Sequence, residues 1–196
     1  MISIVKRYYA YRATLTNGFY LPVSVLILRD KGYSLGFVGF AYAVYALGTL
    51  LSEIPTGYLG DRLGRRASLA IGCVLRVLVV GVYPFLPSKG AYLAIHLVWA
   101  AGRSFRSGTQ DAWLYEILEA RFDAGAFARI ESRGRMARLI VSAGGAVVGS
   151  LLYGMNPSWP FVVNAGLAGL GLPLLWTFPT VQAAGETPDG DQFGVA

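Results

Sequence analysis

Apolar runs of about 20 residues recur six times along the chain, and that length is what an α-helix needs to cross the roughly 30 Å hydrocarbon core of a bilayer. They fall near residues 9–28, 34–56, 67–86, 91–116, 133–153 and 159–180, in a chain of 196 residues. Little is left over for anything except short connections. The expectation is an all-α membrane protein in which residues 1–180 form one bundle of six transmembrane helices. The remainder, 181–196, is polar and acidic and reads as a disordered cytoplasmic tail or as the start of a linker to a further half.

Composition agrees with a lipid-embedded chain. It is 55% hydrophobic and only 14% charged, with a mean hydropathy of +0.50. A net charge of +6 would point to nucleic acid in a water-soluble protein. Here the basic residues cluster at the ends of the apolar runs, so membrane topology explains them and no nucleic-acid partner is expected. Lys6, Arg7, Arg62, Arg65, Arg66, Arg121, Arg129, Arg133 and Arg135 fall on one side of the six runs, against Arg29, Lys31 and Lys89 on the other. The positive-inside rule then makes both termini cytoplasmic. The N-terminal residues show no short apolar core with a small-residue cleavage site. One cysteine, Cys73, and one histidine, His96, rule out a disulfide framework and make a metal site a poor expectation.

The segment 53–66 reads Glu-Ile-Pro-Thr-Gly-Tyr-Leu-Gly-Asp-Arg-Leu-Gly-Arg-Arg, a charged, glycine-rich hinge between two apolar runs. Gly57, Gly60 and Gly64 allow close backbone approach or positive φ, and Asp61 is flanked by Arg62, Arg65 and Arg66. From Gly57 to Arg66 it also resembles the signature of the major facilitator superfamily, G-x-L-[AG]-D-[RK]-x-G-[RK]-[RK], with every specified position filled. The preceding Glu53-Ile54-Pro55-Thr56 is similar to the approach to this loop in a bacterial and archaeal branch of that family. A second stretch on the fourth run, Ser107-Gly-Thr-Gln-Asp-Ala-Trp-Leu-Tyr-Glu116, resembles S-G-T-x-[DE]-A-x-L-Y-[DE] of the same branch.

The resemblance covers roughly residues 8–180 and implies the N-terminal half of the family fold, two inverted three-helix units. It implies that Asp61 pairs with Arg65 or a neighbour and that Glu53, Gly57, Gly60, Asp61, Arg62, Gly64, Arg65 and Arg66 act as a latch against another half. A helix N-terminus favours such a carboxylate. The implied activity is gradient-driven transport of a small solute, with a coupling ion as a further partner, by alternating access in the cell membrane. The second half is expected as a further segment, a separate chain or a second copy. The alternatives are a truncated, non-transporting remnant and a membrane partner subunit.

Charges inside the apolar runs mark the candidate solute site. Arg103 lies about 18 Å along its helix from Ala91, at roughly 1.5 Å per residue, near mid-membrane. A charge there costs about 2.5–3.5 kcal/mol on insertion scales, so it is expected to face a cavity or a partner. Arg103, Arg106 and Gln110 share one helix face, and Asp111, Glu116 and Glu53 are the candidate counter-charges. Either they line a polar cavity or they neutralise one another within the bundle. Asn17 and Tyr20 on the first run are the other lining candidates, with interhelical hydrogen bonding as the plainer role. Arg76 is expected on a lipid-facing side with its head stretched to the interface, His96 as a packed residue, and Trp113 and Trp159 as interfacial anchors.

Gly144, Gly145 and Gly149 on the fifth run suggest a small-residue face meeting a second half. The Gly-Pro-x-x-Gly-Gly and Arg-x-x-Gln-Gly patterns of proton-driven drug antiporters are not reproduced, which argues against that subgroup. An enzyme is disfavoured: Ser107 and His96 share one helix, Asp61 and Asp111 stand alone, and no phosphate-binding glycine loop of the ATPase type occurs. No cofactor is expected.

Overall fold

The computed structural model describes residues 2–121 and 126–178, and among them every regular element is helical, with no strand. In order these are α1 (Ile2–Thr14), a 3-10 turn (Leu21–Val23), α2 (Ser24–Asp30), α3 (Leu35–Leu63), α4 (Arg65–Val82), a 3-10 turn (Tyr83–Phe85), α5 (Lys89–Arg121), α6 (Phe127–Met155), α7 (Trp159–Gly169) and α8 (Gly171–Trp176). Among the described residues, four stretches are long and apolar enough to cross a membrane: Leu35–Gly60, Arg65–Phe85, Phe127–Met155 and Trp159–Trp176. The expected tail, 181–196, lies outside the described residues.

The first and fourth expected spans depart from that simple criterion, each for a physical reason. The first is not one helix. Pro22 has no N–H to offer the carbonyl of Gly18, and Gly18 is itself a poor helix former. The last turn of α1 tightens, with Leu15 and Thr16 donating to the carbonyls of Arg12 and Ala13 at 3.2 Å. The chain then crosses residues 15–20 before helix resumes at α2. The fourth span, α5, is unbroken and 33 residues long, about 50 Å at 1.5 Å per residue, but it carries too many polar groups to score as apolar.

The hinge is also tighter than the sequence suggests. Helix α3 runs straight through Glu53, Pro55, Gly57 and Gly60 to Leu63, and α4 starts at Arg65. Gly64 alone makes the turn, with φ +82°, a conformation that costs an L-residue with a side chain appreciable strain. Its N–H closes α3 onto the Gly60 carbonyl at 3.0 Å, and its carbonyl accepts the Ser68 N–H of α4 at 3.1 Å. Likewise the connection between the fourth and fifth runs, residues 117–132, is helical up to Arg121 and again from Phe127.

Helix α5 packs on α3 and α4, α4 on α7, and α1 on α6. Two aromatic-rich clusters hold this bundle. One joins Tyr20, Ile27, Tyr83, Tyr92, Trp99 and Phe161. The other joins Tyr8, Tyr11, Leu69, Trp113, Ile117 and Leu175. Trp113, expected at the interface, is buried instead between Tyr11 and Phe178. His96 is a packed residue, its Nδ1 donating to the Tyr92 carbonyl at 2.6 Å and its ring among Tyr42, Tyr83 and Trp99. On α4 Arg76, and on α5 the polar residues from Arg103 to Asp111, fall between the two clusters in sequence.

Two of the three glycines expected on an outward face of α6 are used inside the bundle. Gly145 and Gly149 are buried against the broken first span: a Cβ on Gly149 would sit 1.9 Å from the Phe19 carbonyl oxygen, and one on Gly145 would sit 3.0 Å from the Phe19 ring. Gly144 and Gly154 of the same helix have open space around them. Gly149→Ala is therefore expected to lower stability by about 1–3 kcal/mol or more through overpacking, whereas Gly144→Ala is neutral or better. Thermal unfolding of both variants in lipid nanodiscs, followed by tryptophan fluorescence, reads the difference.

Candidate solute-binding cleft

Helix register brings the polar residues of four elements to one place. A cleft of about 350 Å³ is lined by Arg12, Leu15 and Asn17 from α1 and its break, Arg76 from α4, and Arg103, Arg106, Ser107, Gln110 and Asp111 from α5. Helix α6 adds Glu131, Arg135 and Arg138. A cleft of this size is at the small end of the range seen for small-molecule sites.

Glu131 organises one wall. It is 4% exposed and accepts hydrogen bonds from the Tyr8 hydroxyl, from Arg12 at 3.0 Å and from Arg135 at 2.7 Å. Arg135 also reaches Asp111 of α5 at 3.7 Å, so a single guanidinium ties α6 to α5 across the cleft. On α6, Glu131, Arg135 and Arg138 recur at four- and three-residue spacing and thus share one helix face.

Arg76 lines the cleft from α4. It is 4% exposed and donates to the Thr16 carbonyl, one of the backbone groups that the break in the first span leaves without a helical partner. Non-helical backbone inside a membrane requires such a partner. Arg76 is therefore a cleft residue, not the lipid-facing side chain expected from its position. Above it, the methylene stem of Arg106 lies across α4 where Gly72 leaves room; a Cβ there would sit 2.4 Å from Arg106 Cγ.

The cleft thus gathers six arginines and two carboxylates. Among the described residues no carboxylate lies within ion-pair distance of Arg76, Arg103, Arg106 or Arg138. The Nε atoms of Arg12, Arg76 and Arg138 are buried and without a hydrogen-bond partner there.

Of the residues expected at the site, Asn17, Arg103, Arg106, Gln110 and Asp111 line the cleft together. Tyr20 does not. Its ring is buried against Trp99 and Phe161, and its hydroxyl contacts the Asn17 side chain at 3.4 Å. Glu116 lies further along α5 and pairs with Arg65 at 3.2 Å. Glu131 lies where the sequence reads as a basic, topology-setting connection, and Arg138 lies just inside the fifth apolar run, so neither stands out as a site residue. Their four- and three-residue spacing was the available signal.

At the hinge, Arg62 lies over the Tyr58 ring at 4.4 Å and Arg66 over Trp176 at 5.4 Å, with Arg66 also donating to the Phe178 carbonyl. Glu53 is exposed, away from the cleft. The Asp61 side chain lies outside the described part of the structure.

The profile of the Major Facilitator Superfamily matches residues 13–194. The chain belongs to that superfamily. An uncharacterised transporter of the major facilitator superfamily type from Bacillus subtilis (strain 168), YxaM, is 28% identical over 192 residues, which cover 97% of this chain and 47% of the relative. The chain spans about half the length of this curated relative. No solved structure matches. Membership in the superfamily makes the chain a multi-pass membrane protein of a transporter family, and it places both quoted motifs, 57–66 and 107–116, inside the matched region.

Within this superfamily bundle the two carboxylate pairings differ in depth. Glu131→Gln removes the counter-charge of Arg12, whose side chain is 8% exposed, and is expected to cost toward the lower end of about 3–5 kcal/mol. Glu116→Gln breaks a partly exposed pair and is expected to cost less than about 1 kcal/mol. Unfolding midpoints of the two variants, compared in one detergent, test that ranking.

Proposed function

We propose that the protein works as a gradient-driven solute transporter by alternating access, with this segment forming one half of the machine. The observation that carries the reading is the charged cleft at the break of the first span, open on one side and bounded by α5 and α6. In this reading all six spans cross the membrane as two inverted three-helix units, including the broken first span and the polar α5. Those two fall short of a simple apolarity criterion because they supply the cleft. Both termini are cytoplasmic, and the 57–66 hinge, with Asp61, latches the cytoplasmic face in one state.

The second half lies against α3 and α6. Leu47, Leu51, Ile54 and Tyr58 of α3 and Ile140, Val147, Leu151 and Met155 of α6 are large, apolar and exposed, and patches of that extent mark a protein or lipid contact. The named relative, a transporter-type protein of about twice this length, supports a second half of comparable size. A second copy of this bundle meets the same need, since two parallel halves are related by an axis along the membrane normal. The solute and any coupling ion bind between the halves.

Solvent access to the cleft from both sides distinguishes a transporter from a non-transporting remnant or partner subunit. Ser107→Cys, in a Cys73→Ala background, is expected to react with a membrane-impermeant maleimide added on either side of right-side-out and inverted vesicles. Labelling from the cytoplasmic side alone, under every solute gradient imposed, contradicts alternating access.

A further inference from the structure

We infer that the cleft binds a small oxyanion carrying two negative charges, a dicarboxylate or a phosphate, as its solute. This rests on the transporter reading above and names the chemical class of its cargo.

The argument begins with charge. Two carboxylates, Asp111 and Glu131, face the cleft, and both are engaged by Arg12 and Arg135. Four further guanidinium groups, from Arg76, Arg103, Arg106 and Arg138, face the same space with no carboxylate in reach among the described residues. They come from three different helices, so the convergence is a property of the packing and not of one basic stretch. A charge held near the centre of a membrane without a partner is costly. A surplus that concentrated needs hydration or a counter-charge.

Geometry narrows the counter-charge. Arginine presents a planar fork of N–H donors that matches the paired oxygens of carboxylate and phosphate. Arg76 is positioned by the Thr16 carbonyl and Arg106 by its stem over Gly72 and by its Nε on the Gly102 carbonyl at 3.2 Å. The Nε atoms of Arg76 on α4 and Arg138 on α6 are buried and without a hydrogen-bond partner among the described residues. A monovalent anion would leave most of this charge uncompensated, whereas two negative charges bridge the α4–α5 wall and the α6 wall. The cleft volume of about 350 Å³ limits the solute to a small one.

The deciding experiment measures thermal unfolding of the full-length protein in nanodiscs of zwitterionic lipid at fixed ionic strength. The titrants are succinate and inorganic phosphate, with chloride, choline and glucose as controls. The expected result is a saturable rise in the unfolding midpoint with succinate or phosphate only. Its half-saturating concentration should increase tenfold or more in Arg106→Gln and in Arg138→Gln, and stay unchanged in Lys89→Gln, outside the cleft. Circular dichroism of the two arginine variants checks that the bundle is intact.

Three results overturn the proposal: no saturable response to either anion, an equal response to choline or glucose, or stabilisation by anionic phosphatidylglycerol lipid with none by the free anions. The last would assign the arginines to a lipid headgroup. Two-sided labelling of Ser107→Cys without any anion response would leave a transporter of other cargo. An anion response with one-sided labelling would leave an anion-binding protein that does not transport.

Discussion

A guanidinium group inside a membrane must be hydrated, paired or moved to the interface, and the architecture of this bundle follows from how that demand is met. Arg12, Arg76, Arg103, Arg106, Arg135 and Arg138 share one cleft with Asp111 and Glu131. Glu131 of α6 holds α1 through Tyr8 and Arg12, and Arg135 of the same helix steadies it. Arg76 supplies the donor that the broken first span needs at Thr16. The two aromatic clusters then pack the apolar remainder.

The break and the cleft depend on each other. A continuous first helix would satisfy its own carbonyls and leave Arg76 buried without an acceptor. A hydrophobic residue at 76 would leave the Thr16 carbonyl stranded in a low-dielectric interior. Close packing of Phe19 onto Gly145 and Gly149 seats the irregular segment against α6, which brings the face bearing Glu131, Arg135 and Arg138 toward α5. Rigid walls of this kind preorganise donors for a ligand at low entropic cost.

Much of the bundle was legible because apolar runs without charges have few other ways to satisfy their backbone in lipid. Helices α3, α4, α6 and the α7–α8 pair follow those runs. The break in the first span was less legible: Gly18 and Pro22 are visible in the sequence, but whether a membrane helix yields at a proline depends on a neighbour able to take up the freed carbonyl. That neighbour, Arg76, is sixty positions away. The α5 side of the cleft, from Arg103 to Asp111, was readable from mid-span charges at helical spacing. The α6 side was not, because Glu131 lies in a stretch that reads as a basic connection, while Arg135 and Arg138 lie at the start of the fifth apolar run, where arginines read as topology-setting. Gly145 and Gly149 were legible as a close-packing face, while the partner they pack against is a matter of tertiary fold.

Electron cryo-microscopy of the protein in zwitterionic nanodiscs, at a resolution that shows side chains, tests the central claim most directly. A charged, solute-accessible cleft shows the Arg76 guanidinium on the Thr16 carbonyl and discrete water or anion density between Arg106 and Arg138. Acyl-chain density running through that space, or an unbroken first helix with Arg76 turned to the lipid, would contradict it.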